Sequence, residues 1–155
     1  MLKKINQIKK LSYKIRKIIL DISYNCGEPS HIGGALSIVE ILSVIYSIFD
    51  IKINKPFDRF ILSKGHGFLA LLSILHCKGF IKKKKDLMQF QKNESEFIAH
   101  PIMNKSIGIE TSNGSLGQGL SFGIGLGISY KRKNKNNSII VVVGDGECYE
   151  GSIWE

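Results

Sequence analysis

The run Ile139-Ile140-Val141-Val142-Val143-Gly144-Asp145-Gly146-Glu147 decides how the rest of this chain is read. Its consecutive β-branched residues predict a strand buried on both faces, as in the interior of a parallel sheet. The Gly-Asp-Gly that follows predicts a tight turn. That turn sets one carboxylate, Asp145, at the carboxyl end of the strand, where open α/β sheets take their ligands. Further on, Ser152-Ile153-Trp154-Glu155 has the Ser-x-x-Glu spacing of a capping box, which announces a helix. The 155 residues end there, so the expectation is a parallel α/β sheet with flanking helices, incomplete at its C-terminus.

Reading backwards from the strand, residues 131–137 predict a charged surface loop. A helix is expected from about 116 to 130, opened by Ser112-Asn113-Gly114-Ser115-Leu116-Gly117-Gln118-Gly119. Glycines there allow close backbone approach, and N–H groups at a helix start suit a phosphate; such loops also serve simply as turns. Gly119, Gly123 and Gly127 leave one face of that helix bare, which predicts close packing against a neighbouring helix. At the other end, Leu2, Ile5, Ile8, Leu11, Ile15, Ile18, Ile19 and Ile22 recur at helical spacing among Lys and Arg, predicting an amphipathic first helix. Gly27-Glu28-Pro29-Ser30 ends it, and His31-Ile32-Gly33-Gly34 predicts a loop. A second, buried helix is expected over 36–49, a short strand over 59–62, a turn at Ser63-Lys64-Gly65-His66-Gly67 and a third helix over 68–77. Lys82 to Lys85 reads as a solvated edge, and residues 91–108 as irregular chain. With no internal repeat and no linker, one domain is expected over 1–155.

Composition narrows the function classes. The formal net charge is +9, but the lysines are scattered or sit in polar loops, which speaks against a nucleic-acid or membrane surface. The same charge suits anionic substrates such as sugar phosphates. Cys26, Cys77 and Cys148 are odd in number and form no Cys-x-x-Cys, so reduced thiols in a cytoplasmic protein are expected. The basic N-terminus lacks the continuous apolar core of a secretory signal.

The residues suited to chemistry lie in loops. Asp145, with Glu147 and Glu150 behind it, is a candidate ligand for a hard cation such as magnesium, which takes one or two carboxylates and completes its shell with phosphate oxygens. The alternative is that Asp145 only forms the turn. Of four histidines, His31, His66 and His100 sit in loops beside Gly or Pro, whereas His76 falls inside a helix and reads as structural. A shared site for the three loop histidines is an open possibility at this level.

Taken together and in order, these motifs resemble the N-terminal, thiamine-diphosphate-binding part of transketolase. Ser30-His31-Ile32-Gly33-Gly34 through Glu40-Ile41-Leu42 is similar to the family's first histidine loop and the helix after it. Asp58-Arg59-Phe60-Ile61-Leu62-Ser63-Lys64-Gly65-His66 matches a family signature almost letter for letter. His100-Pro101, Gly114-Ser115-Leu116-Gly117-Gln118-Gly119, and Gly144-Asp145-Gly146-Glu147 with Glu150-Gly151 and Trp154-Glu155 resemble the remaining motifs. The His-Ile-Gly-Gly form looks most like the N-terminal subunits of split bacterial transketolases. The spellings of the second and fourth segments set the chain apart from deoxyxylulose-phosphate synthase. Asn113 stands where the family usually has Thr, and Ser30 where it has Gly or Cys.

The resemblance implies a diphosphate-binding module that uses thiamine diphosphate and magnesium to transfer a two-carbon ketol unit between sugar phosphates. It implies that Asp145 binds the metal and that His66, Gly114, Leu116, Gly144, Gly146 and Glu150 serve the cofactor. His31, His66, His100 and Glu150 take the catalytic roles, with His31 and His100 lining the substrate channel and Glu150 reaching a subunit interface. It further implies a homo-oligomer and, for a partner, a pyrimidine-binding module or C-terminal subunit. The family's metal motif continues past Glu155 to an Asn ligand, so a chain truncated after Gly-Asp-Gly and inactive in isolation is expected. The alternative from another class is a non-catalytic remnant or dimerisation module of the same fold.

Overall fold

A computed structural model describes residues 2–53 and 58–155. They divide into two compact units, residues 2–49 with 66–100, and residues 50–53 and 58–65 with 101–155.

The first unit is helical. α1 (Leu2–Cys26) buries Ile15, Ile18, Ile19, Ile22 and Cys26 on one stripe, as the periodicity predicts, whereas Leu2 and Ile5 of the same series are exposed; its lysines lie in solvent. It packs against α2 (Ile32–Leu36), α3 (Val39–Ile48) and α4 (Phe68–Cys77). Every residue from Phe68 to Leu75 is buried, so α4 is the centre of this core. Each large side chain fully removed from water there contributes about 1.5–3 kcal/mol. Inside the α1–α3 contact, the Ser12 hydroxyl donates to Ser43 Oγ at 2.9 Å, and Ser43 donates to the Val39 carbonyl at 2.7 Å. Each of these two hydroxyls therefore has a partner within the protein. Lys84 opens the short α5 (Lys84–Leu87) and pairs with Asp21 at 2.7 Å, while the neighbouring lysines are exposed.

Two expectations for this unit are corrected. The His31 segment is not a loop throughout: residues 32–36 form α2, and the run expected as one helix over 36–49 is broken before Val39. The two glycines of His-Ile-Gly-Gly obscure this turn of helix, because Gly counts against helix in any propensity reading. Nor is α3 buried all round, since Ile41, Val44 and Ile48 are exposed.

The second unit carries the sheet. β1 (Arg59–Leu62) pairs in parallel with β2 (Ile139–Val142), in register from Arg59 opposite Ile139 to Leu62 opposite Val142. Asp58 fixes the start of both strands: its carboxylate accepts from the Asp50 amide and the Ser138 amide, each at 2.9 Å. The shielded Arg59 and Glu110 side chains form an ion pair. α6 (Gln118–Arg132) lies on the sheet and α7 (Gly151–Trp154) on α6.

Three expectations for this unit are corrected as well. Ile139, Ile140 and Val141 are only half-buried, and Val142 alone in β2 is buried. β1 is the one partner of β2 among the described residues, and a β-branched run reads the same in an edge strand as in a central one. The bare face of α6 meets the sheet and not a helix: a β-carbon on Gly123 would stand 2.5 Å from Val141 Cγ2, and one on Gly119 within 2.7 Å of Ser63 Cα. The capping box is not formed. Glu150 occupies the N-cap of α7, and Ser152 Oγ donates to the Leu116 carbonyl at 3.4 Å.

Candidate functional site

In the first unit the loop histidines converge. His31 precedes α2, His66 lies in the 3-10 turn Gly65–Gly67 that leads into α4, and His100 lies within the irregular segment that follows α5. The His31 ring centroid is 6.1 Å from that of His66 and 5.6 Å from that of His100. Gly34 makes room for this grouping, because any β-carbon there would collide with the His66 ring. His31 is exposed and the other two half-exposed, so the trio can meet a solute with three imidazoles able to donate, accept or carry a proton. His76 does not join them; its Nδ1 is 2.8 Å from the Ile81 carbonyl, a structural contact as expected.

In the second unit, two loops follow or precede the sheet elements. Gly114, Ser115 and Leu116 are exposed ahead of α6. Gly117 ends this loop in a left-handed conformation, φ 84°, with no room for a side chain: a β-carbon would fall 2.0 Å from Ser152 Oγ. After β2, Gly144 is buried, whereas Asp145 and Gly146 are exposed. Glu150 is exposed at the start of α7.

The residue that sequence reasoning undervalues is Glu147. Its position beside Glu150 suggests acidic support for a cation, yet it is 2% exposed and its oxygens are engaged by the protein. Oε1 accepts from Ser63 Oγ at 2.5 Å and from the Gly117 amide at 2.8 Å, and Oε2 accepts from the Gly144 amide at 2.9 Å. One local signal is available. A carboxylate three residues after a strand-ending glycine can fold back onto that glycine's N–H, as in the return half of a capping box. Nothing local announces the other two partners. Asn113 has a similar structural role, donating to the Leu62 carbonyl at 2.8 Å and to Thr111 Oγ1 at 2.5 Å.

The donor set fits a diphosphate carried by a hard cation. No group of three or more His, Cys, Asp or Glu able to hold a metal occurs among the described residues, so no all-protein cage is formed there. Asp145 offers a single exposed carboxylate, and open backbone at Gly146 allows close approach, since a β-carbon there would meet nothing within 4 Å. One exposed carboxylate is of the kind magnesium takes from a protein when phosphate oxygens and waters fill the rest of its shell.

The sequence profile described as "Transketolase, thiamine diphosphate binding domain" matches residues 8–155. The chain belongs to this family. It is 36% identical over 146 residues to the 6-deoxy-6-sulfo-D-fructose transketolase subunit SqwG of Clostridium sp. (strain MSTE9), covering 91% of this chain and 52% of that protein. It is 37% identical over 151 residues to an apulose-4-phosphate transketolase subunit of Phocaeicola vulgatus, covering 93% and 52%. The chain thus spans about half the length of these relatives. Among solved structures, transketolase from Campylobacter jejuni superposes with a TM-score of 0.87 at 26% identity, over 96% of this chain and 25% of that one. Transketolase from Leishmania mexicana gives 0.83 at 27%, over 95% and 24%. The small parallel sheet with flanking helices is therefore part of the α/β fold of transketolase, as the sequence led us to expect. Among the described residues no helix is long and apolar enough to cross a membrane.

Proposed function

We propose that this chain is the thiamine-diphosphate-binding part of a transketolase, acting with magnesium and a partner subunit to move a two-carbon ketol unit between sugar phosphates. The observation that carries the reading is the anchoring of the exposed 114–116 loop and the exposed Asp145–Gly146 turn on one buried carboxylate, Glu147. Backbone N–H groups beside an exposed carboxylate suit a magnesium diphosphate.

In this reading Asp145 holds the magnesium, and Gly144 and Gly146 bring the backbone to the diphosphate. Gly114, Leu116 and His66 contact the cofactor, and Glu150 serves it from a subunit interface. His31 and His100 bond the hydroxyls of the sugar, and with His66 they hold and move protons as hydroxyl and carbonyl interchange. Bound thiamine diphosphate supplies the electron sink for breaking the carbon–carbon bond beside a ketose carbonyl.

The relatives named as subunits support a partner that carries the pyrimidine-binding module. Their names, one a sulfonated sugar and one a sugar phosphate, support an anionic ketose as donor, which also suits the net charge of +9. We further propose that the 155 residues work as one binding module, in a homo-oligomer in the cytoplasm, where the three free thiols stay reduced. Calorimetric titration of the intact protein with thiamine diphosphate, with and without magnesium, tests the reading. Magnesium-dependent binding, followed by ketol transfer when the partner subunit is added, is expected. A folded protein that takes up no cofactor would instead be the non-catalytic module of the same fold.

A further inference from the structure

We propose that Glu147 is a positioning residue for the cofactor, fixing the glycine loop and the Gly-Asp-Gly turn relative to each other before any ligand arrives. The inference rests on the cofactor reading above and adds to it a residue that does not itself touch the ligand.

The argument begins with where the carboxylate sits. A buried carboxylate is retained in a fold only where hydrogen bonds replace the water it loses. Glu147 takes its bonds from three separate stretches of chain: Ser63 at the end of β1, Gly117 before α6, and Gly144 after β2. Two of these donors are main-chain amides, and each adjoins a stretch expected to meet the ligand. Gly117 directly follows the exposed Gly114–Leu116 segment, and Gly144 directly precedes exposed Asp145 and Gly146.

The two ends of the tie are held differently. At the Gly117 end the peptide unit is bonded on both sides: its N–H donates to Glu147, and its Leu116 carbonyl accepts from Ser152 Oγ at 3.4 Å. The Gly144 turn is held through Glu147, which reaches back from the 3-10 turn Gly146–Tyr149. The carboxylate thus refers the position of Asp145 to this bonded peptide unit in the glycine loop. Bonds to an ionised acceptor are stronger than those between neutral groups, and a loop already in its bound geometry loses less entropy on binding.

An amide in place of the carboxylate tests this. In Glu147→Gln the side-chain NH2 must face either the Gly144 amide or the Ser63 and Gly117 donors, so one link of the tie breaks while size is kept. Hydrogen exchange of the intact, cofactor-free protein should quicken in peptides spanning 113–118 or 143–147, with α4 unchanged. Magnesium–thiamine diphosphate should then bind about 10- to 100-fold more weakly, the loss typical when a group orienting a metal ligand is altered. Glu147→Asp keeps the charge but shortens the reach, and should weaken binding in the same direction.

Faster local exchange with unchanged affinity would overturn the proposal, leaving Glu147 a stabilising contact only. Unchanged exchange in both peptides would overturn it too. If Glu147→Gln does not fold, the wild type and Glu147→Asp decide: Gly117 and Gly144 amides exchanging as fast as exposed loop in the ligand-free wild type, or unweakened binding by Glu147→Asp, refute it. A wild type that binds no cofactor, though both amides are protected, refutes the cofactor reading and this role with it. That outcome is distinct from a failure of the tie itself.

Discussion

Gly34 and His66 are in contact within the first unit: a β-carbon built on Gly34 would stand 2.5 Å from Cδ2 of the His66 ring and 3.3 Å from its carbonyl oxygen. The adjacent Gly33 differs, since a β-carbon there would meet nothing within 4 Å. Gly34→Ala should therefore overpack the histidine cluster and cost about 1–3 kcal/mol, while Gly33→Ala in the same helix should be neutral or slightly stabilising. Thermal unfolding of the two variants side by side checks this. Equal midpoints would mean that the His66 ring is not held where the structure has it.

The glycines of α6 make a graded series. At Gly119 the obstacle includes Ser63 Cα at 2.7 Å, which is backbone and cannot rotate away; at Gly123 it is the Val141 Cγ2 methyl at 2.5 Å. At Gly125 there is open space. Alanine should be most damaging at 119, cost about 1–3 kcal/mol at 123, and gain about 0.5–1 kcal/mol at 125 through helix propensity. Urea midpoints of the three variants should follow that order, and a loss at 125 equal to that at 123 would refute packing of α6 on the sheet through one face.

The series also marks what the sequence can tell. Four-residue glycine spacing announces a bare helix face, but a helix and a sheet can both use one, so the spacing does not name the partner. The same limit applies to Ile139–Val142, where β-branched residues announce a strand without revealing that its neighbours leave it half-exposed. β1 and α4 are legible to the residue, because Arg59–Leu62 and Phe68–Cys77 are bounded by a charged segment and by glycine turns. The convergence of His31, His66 and His100 and the long-range ties of Glu147 are not, since both depend on segments tens of residues apart in the chain.

Arg16 and Glu40 give a prediction in pH. One guanidinium nitrogen lies 2.6 Å from both Glu40 oxygens, and this hydrogen bond, opposed by some desolvation, holds the carboxyl below its ordinary value of 4.5. A depressed value in the folded state means stability that is present above pH 4.5 and lost as pH falls through the folded value. Both side chains are well exposed, 39% and 59%, so water and salt screen the pair and its worth is at most about 1 kcal/mol. Glu40→Gln should lose up to that amount at pH 7 and nothing relative to wild type at strongly acid pH. Denaturation at both pH values, repeated at high salt where the difference should shrink, decides it.

Asp145 separates the metal role from the turn role. Its side chain is exposed, and the bond its carbonyl accepts from the Cys148 amide at 3.1 Å is a main-chain one that a change of side chain leaves in place. Asn forms turns of this kind as readily as Asp, so Asp145→Asn should leave stability within about 0.5 kcal/mol of wild type. If the carboxylate is the magnesium ligand we propose, the same change removes a charged donor from a hard cation. Magnesium-supported binding of thiamine diphosphate should then weaken by at least about 100-fold, exceeding what altering a mere orienting group costs. Calorimetry on the two proteins at matched magnesium, with unfolding curves alongside, separates the roles. Equal affinities would leave Asp145 as a turn former and send the search for the metal ligand elsewhere in the protein.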